Sequence, residues 1–416
     1  MSQEKGRDFI QNIIITVLFL LAVALFAKTQ MESLGLDERT FNPAAPPVDS
    51  GAAASAPALS APVRIAITGA YGRYGSLTLS TASEEFDAHL GRCLSEALGS
   101  AQGFMGCTEE EFLTALEGPS VYYDFLEPLP LSILASLAGG GEGAPEDISA
   151  RRLVIAGQGD GTAALYLWGS PGSCWRCSTA LSAGSVEQAA GQYELGGTHF
   201  ARDLGLDTAP CSLFLEELPV LPVLKSEDPL GDTDWLLTAL GFNPRTRTRY
   251  VDASGTEMIM DGERSLRILA SKTVSYQSGG DPALAVQAED DVPTLQEAAL
   301  GAGEILNRLT ASLSSDAAFY LQSIRQDGEA TSLCFGCQVG GIPIRIPGGS
   351  AVEMTLTGCS VTALTLRLRT YSLTEEPSLL LPLRQALAIA ASRPGAELSI
   401  AYVDRTNGCP ASWIVD

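Results

Sequence analysis

Arg247-Thr-Arg-Tyr-Val-Asp-Ala-Ser-Gly-Thr-Glu-Met-Ile-Met-Asp-Gly-Glu-Arg-Ser-Leu-Arg-Ile-Leu-Ala-Ser-Lys-Thr-Val-Ser-Tyr-Gln277 reads as a run of short β-strands. Its β-like pieces are Arg247–Asp252, Thr256–Met260, Leu266–Ala270 and Val274–Gln277. Ala253-Ser-Gly255 and Asp261-Gly262 separate them, and Gly and Asp there are hairpin chemistry. The spacing predicts a β-meander.

On either side lie helices. Asp232 to Leu240, ended by Gly241, reads as one, with Asp232 or Thr233 as its cap. A second begins in the first turn at Pro293, behind the acidic Glu289–Asp291, and runs to about Leu313. Strands are expected at Ala330–Val339, Val352–Leu356 and Val361–Tyr371. A helix from Pro377 to about Ala391 and strands Glu397–Val403 and Ser412–Val415 close the chain.

Upstream, Val63–Thr68 and Val121–Phe125 are β-like, and Pro128 to Leu131 breaks the second and leads into a short apolar helix. Phe86, Leu90, Cys93, Leu94 and Leu98 form one helical stripe. Thr108-Glu-Glu-Glu111 is a capping box before Phe112, Leu113 and Leu116. Leu153–Ala156 and Ala164–Trp168 read as a hairpin. Gly157-Gln-Gly-Asp-Gly161 between them lacks phosphate-loop spacing and is a turn. The fold class is therefore α+β, with mostly antiparallel sheets and packed helices. No clean repeat is found, although 247–277 and 340–371 share a loose strand–turn scheme.

Phe9 to Ala27 is apolar apart from Gln11, Asn12 and Thr16. At about 1.5 Å per residue, a helix of this length suits a hydrocarbon core of about 30 Å. Lys5 and Arg7 precede it, and acidic residues follow Lys28, which places the short tail inside and the bulk outside. The alternative is a cleaved signal peptide, with Ala22-Val23-Ala24 as the small-residue site. Residues 28–61, rich in Pro, Ala, Ser and Gly, read as a disordered tether. The expected organisation is a cytoplasmic tail 1–8, a transmembrane helix 9–27, the linker 28–61, and three modules. These are an N-terminal α+β module 62–222, a β-rich central module 223–288 and a C-terminal α+β module 289–416. The expected location is the cell membrane, as a single-pass protein.

Lys plus Arg is 26 against Asp plus Glu 49, a net charge of −23. Such a chain repels phosphate backbones, so nucleic acid is not an expected partner. The nine cysteines include Cys174-Trp-Arg-Cys177 and Cys334-Phe-Gly-Cys337. The gap between the two pairs is far too long for a zinc ribbon, and neither opens a helix as a redox pair does. Buried thiols, structural disulfides and zinc or redox work remain the alternatives.

Catalytic signatures are absent. The two histidines, His89 and His199, read as structural, and neither HExxH nor GxSxG occurs. The one SxxK match, Ser2 to Lys5, lies in the tail. Asp228, Asp232 and Asp234 lack the alternation of a calcium loop. No cofactor is implied. A carboxylate pair of the glycosidase kind stays open, since sequence cannot select two acids from 49.

One resemblance stands out. Trp235-Leu-Leu-Thr-Ala-Leu-Gly-Phe-Asn-Pro244, Arg249-Tyr-Val-Asp-Ala-Ser-Gly255, Asp261-Gly262, Arg264, Leu266, Arg267 and Val274-Ser-Tyr276 resemble the YycH family. Those proteins are membrane-anchored regulators of an essential cell-wall histidine kinase in low-GC Gram-positive bacteria. Val339-Gly-Gly-Ile-Pro-Ile344, Leu398–Tyr402 and Trp413–Val415 resemble the C-terminal module shared with the sister protein YycI. The resemblance covers residues 1–30 and 220–416; the long tether and the cysteines depart from it. It implies a non-enzyme whose span and outer domain contact a sensor histidine kinase of the WalK/YycG type, alongside a YycI-like sister protein. It carries no catalytic residues. Ala22, Ala24 and Ala27 are the candidate partner contacts, small enough to admit a neighbouring helix, or else plain lipid-facing filler. The rival functions are an envelope hydrolase with a carboxylate pair and an envelope ligand-binding scaffold.

Overall fold

The computed structural model describes residues 59–415, apart from 61, 71, 78–85, 140–143, 171, 194–196, 207–208, 216–217, 219, 232, 244, 246, 280–282, 394–395 and 406–407. The expected tail, the transmembrane helix 9–27 with Ala22, Ala24 and Ala27, and nearly all of the tether lie outside the described residues. Among the described residues, no helix is long and apolar enough to cross a membrane.

The first sheet is built from β1 (Arg64–Gly69), β2 (Gly72–Leu77), β3 (Gln102–Gly106), β4 (Ser120–Pro130), β5 (Ser149–Gly157), β6 (Thr162–Ser170) and β7 (Ser173–Ser182). Their order is β2-β1-β4-β5-β6-β7-β3, with every pairing antiparallel. Both faces are covered, which explains the nearly continuous apolar character of its central strands. Leu153, Ile155, Leu165 and Leu167 face the main core. The alternating Val154, Ala156, Ala164, Tyr166 and Trp168 face a smaller one.

Helix α1 (Arg92–Gly99) buries the predicted stripe of Cys93, Leu94 and Leu98 in the main core. A π-helical turn, Phe86–Gly91, precedes it. Helix α2 (Glu109–Thr114) carries the expected capping box: Thr108 Oγ1 accepts from Glu111 N, and Thr108 N donates to Glu111 Oε2. It seats Phe112 edge-on against Trp168 in the smaller core. Pro128 does not end β4, which bulges after Asp124 and continues to Pro130. Helix α3 (Leu131–Leu137) follows, and α4 (Ala183–Ala190) comes after β7.

Short strands β8 (Thr198–Phe200) and β9 (Leu213–Leu215) pair with each other. Strand β10 (Pro222–Glu227) leads into α5 (Asp234–Ala239). Thr233 occupies the position before this helix but makes no side-chain cap bond, and Asp232 lies outside the described residues.

The meander is present as expected: β11 (Thr248–Val251), β12 (Glu257–Asp261), β13 (Arg264–Ile268) and β14 (Val274–Ser278). Asp261 pairs with Arg264 across a two-residue turn opened by Gly262 at φ 63°, a conformation that disfavours a side chain. Helix α6 (Leu295–Thr310) starts two residues after the expected Pro293. Thr294 is its cap and completes a capping box with Glu297, while Pro293 stands just outside.

The remaining strands are β15 (Ala318–Asp327), β16 (Ala330–Val339), β17 (Ile342–Arg345), β18 (Val352–Thr357), β19 (Ser360–Leu366), β20 (Thr370–Pro377), β21 (Leu398–Val403) and β22 (Ala411–Val415). They join the meander in an eleven-stranded sheet of order β11-β12-β13-β14-β19-β18-β16-β17-β21-β22, with β15 also on β16 and β20 excepted. One sheet thus spans residues 248–415, and among the described residues only β17 and β21 run parallel in it.

Two expectations fail here. Val361–Tyr371 is not one strand: β19 stays in the large sheet, while β20 leaves it to pair with β10. The helix expected from Pro377 begins only at Leu383, as α7 (Leu383–Ala390). Ser378 N donates to Leu221 O and Ser378 Oγ to Pro222 O, so tertiary hydrogen bonds hold the start of that apolar run extended.

Helix α6 contains two glycines at a cost of about 1 kcal/mol each relative to alanine. Packing accounts for both. A Cβ on Gly301 would lie 2.7 Å from Val286 Cβ, and one on Gly303 would lie 2.5 Å from Leu59 Cδ1. Gly301→Ala is therefore expected to destabilise the fold by about 1–3 kcal/mol, against the helix-propensity trend. Urea unfolding would show it; a gain in stability would contradict the close approach.

Candidate functional site

The first sheet buries an aspartate among apolar neighbours. Asp124 follows Tyr122 and Tyr123 on β4 and is fully buried. Register sets it between Arg64 on β1 and Arg152 on β5. Opposite charges on directly paired residues attract across a sheet. Arg64 Nη2 lies 2.6 Å from Asp124 Oδ2. The β4 bulge brings in a third guanidinium: Arg151 Nε donates to Phe125 O at 3.0 Å and lies 3.3 Å from Asp124 Oδ1.

From far along the chain, Glu397, just before β21, completes the cluster. Arg151 makes a two-pronged bond to it, 3.0 Å to Oε2 and 2.9 Å to Oε1. Arg152 Nη2 reaches Oε1 at 2.7 Å, and Arg64 Nη2 lies 3.7 Å away. Not every contact is aligned: Arg64 Nε, Arg152 Nε and Arg152 Nη2 are buried without a well-formed hydrogen bond among the described residues. Those contacts are Coulombic. Burial raises the cost of ionising Glu397, but Arg152, Arg151 and Arg64 outweigh it and hold its carboxyl at about 2. Burial likewise opposes the charge on Arg151, and Asp124 and Glu397 overcome it, raising that pKa.

Beside this cluster lies a cavity of about 320 Å³. Arg64, Arg151 and Glu397 form its charged side, with Glu127, Tyr320 and Arg345 also in the wall. The rest is largely apolar, including Leu126, Phe214, Leu221, Leu398, Ile400 and Trp413. Gly341, Ile342 and Pro343, at the turn from β16 into β17, belong to the same wall. Size and mixed lining match a small-molecule site.

None of the five cluster residues stood out as a site residue in the sequence. A signal was present: one aspartate inside Val121-Tyr-Tyr-Asp-Phe125, and two arginines opening the apolar strand at Leu153. Charges in strands buried on both faces need partners.

The other candidates do not converge. His89 is exposed, and His199 sits on β8 opposite Phe214. Asp234 pairs with Arg247, and Asp228 accepts from Leu230 N. Among the described residues, no group of three or more His, Cys, Asp or Glu could hold a metal ion.

Both CxxC pairs lie within strands, where residues three apart point to opposite faces. Cys174 is in the smaller core and Cys177 in the main core. Both lie on β7. Cys107 and Cys174, however, adjoin across β3 and β7, one step beyond the Gly106–Trp175 pair, with Cys107 N donating to Cys174 O at 3.1 Å. Directly opposed strand residues fall within disulfide range. With oxidised glutathione, non-reducing peptide mapping is expected to find a 107–174 link. A link within either CxxC would contradict the strand geometry.

No family model matches the chain, and no curated protein matches it. Among solved structures, it is similar to the crystal structure of YycH from Bacillus subtilis. The TM-score is 0.53 at 13% sequence identity, over 86% of this chain and 94% of that one. A likeness over 86% of the chain reaches well beyond residues 220–416 and takes in part of the first sheet's region. What this chain shares with it is the architecture of mostly antiparallel sheets with a few helices: a YycH-like fold.

Proposed function

We propose that this chain is a non-enzymatic regulator anchored by residues 9–27, with its folded part outside the cytoplasm. Its span and ectodomain contact a WalK/YycG-like sensor histidine kinase of a cell-wall two-component system, alongside a YycI-like sister protein. The observation that carries this reading is the YycH-like fold over 86% of the chain. The apolar run Phe9 to Ala27 and the family-like motifs of residues 220–416 support it from the sequence. The mechanism is a population shift. Packing of the helix, through Ala22, Ala24 and Ala27, together with contact outside, favours one signalling state of the kinase over the other.

The test is crosslinking of the full-length protein within the membrane of its host, followed by mass spectrometry. Capture of a sensor histidine kinase through residues 9–27 and 220–416 is expected. Exchanging residues 9–27 for an unrelated apolar span should alter phosphorylation of the cognate response regulator. Unchanged output after both that exchange and removal of the ectodomain would end the reading.

The charge cluster denies Glu397 the part of general acid in the hydrolase alternative. A general acid needs a carboxyl poised near the working pH, and three arginines hold Glu397 at about 2. The cavity favours the ligand-binding scaffold as a second reading, compatible with the first.

A further inference from the structure

We propose that the cavity binds a single-chain amphiphile with an anionic head, a fatty carboxylate or a lysophospholipid, its head against Arg64 and Arg151 and its chain along the leucine-rich wall. The inference rests on the scaffold reading and is independent of the kinase.

Charge is the first argument. The cluster holds three guanidiniums, Arg64, Arg151 and Arg152, against two carboxylates, Asp124 and Glu397. One positive charge is left over beside the cavity, whose wall adds one further charge of each sign, Glu127 and Arg345, in a chain whose net charge is −23. A buried charge without a counter-charge is costly, and one anion in the cavity would balance it.

Geometry is the second. Arg64 and Arg151 both line the cavity, and their side chains keep 14% and 21% of their surface accessible, so an anionic head in the cavity can reach two guanidiniums.

The lining is the third argument. Away from the charged side, Leu126, Phe214, Leu221, Ile400 and Trp413 present hydrocarbon or aromatic surface. A small polar anion would satisfy the arginine but leave this wall bare. A neutral lipid would cover the wall but leave the charge. An anionic amphiphile does both, and about 320 Å³ lies at the lower end of small-ligand pockets, suited to one chain.

The experiment uses full-length protein in phosphatidylcholine nanodiscs and a diazirine analogue of palmitate. Illumination and peptide mapping should place label on the peptide carrying Ile400 and Trp413, with competition by unlabelled palmitate. Hexadecanol, with the same chain and no charge, should compete about tenfold less well or worse. Stronger competition by lysophosphatidic acid than by palmitate would assign a phosphate head; the reverse would assign a carboxylate. Ile400→Trp, which fills the cavity, should abolish the label while circular dichroism stays unchanged. Should that variant misfold, Leu126→Trp carries the same test from elsewhere in the wall. Label confined to residues outside the cavity, equal competition by hexadecanol, or label that survives filling in a folded variant would each overturn the proposal.

Discussion

Replacing Asp124 with alanine is expected to cost about 3–5 kcal/mol of stability, because it leaves buried guanidiniums facing one another with one carboxylate between them. Arg64, Arg151 and Arg152 all approach Asp124, and its side chain is wholly buried. Surface pairs contribute little because water screens them; here water is excluded and the loss is uncompensated. Urea unfolding of the full chain gives the value, and a loss under 1 kcal/mol would show that the arginines find water or another partner. Asp124→Asn keeps the shape and removes the charge, so a similar loss in that variant would assign the effect to electrostatics.

Acid should reveal the same cluster. Glu397 is held at about 2, below the ordinary carboxylate range. A carboxyl whose folded pKa is depressed contributes stability that is complete above its unfolded pKa, near 4.3, and is lost as pH falls toward the folded value. Its contribution, on the order of 3 kcal/mol, should therefore fade between about pH 5 and pH 2. Glu397→Gln should be less stable at pH 7 and should lack that part of the acid slope. An unchanged slope between those pH values would contradict the ion-paired state of Glu397.

Phe335→Ala is the second large effect, expected at about 3–5 kcal/mol. Phe335 is fully buried on β16, the strand that pairs with β15, β17 and β18. The cost combines lost apolar burial with the void left in a crowded place. Its cross-strand neighbours are Leu321 on β15 and Val352 on β18, both buried, and they would line the void. Phe335→Leu should cost clearly less, and thermal unfolding of the pair separates the void from the chemistry. Equal losses would mean that ring shape, not volume, is what β16 requires.

Much of the local structure was legible in the residues. The Thr108–Glu111 capping box, the stripe of α1 and the four meander strands follow from hydrogen-bonding chemistry and apolar period over a few positions. Other elements were lost where distant chain decides. Ser378 bonds to Leu221 and Pro222, so an apolar run that could start a helix stays extended. The break between β19 and β20 depends on β10 being there to receive the second strand. The CxxC spacings left buried thiols, disulfides and zinc or redox work open, and the strand pleat turns Cys174 and Cys177 toward different cores.

By itself the sequence determined the α+β class, the antiparallel meander and the absence of common catalytic motifs. Each of these is written in side-chain period, turn residues or composition within short windows. Only the tertiary structure decided the candidate site. Arg151 and Glu397 stand 246 residues apart, and nothing local records that they meet. Their pairing exists because a bulge in β4 admits Arg151 while the approach to β21 delivers Glu397. Charge pairing and cavity shape are properties of long-range packing, and a linear pattern carries neither.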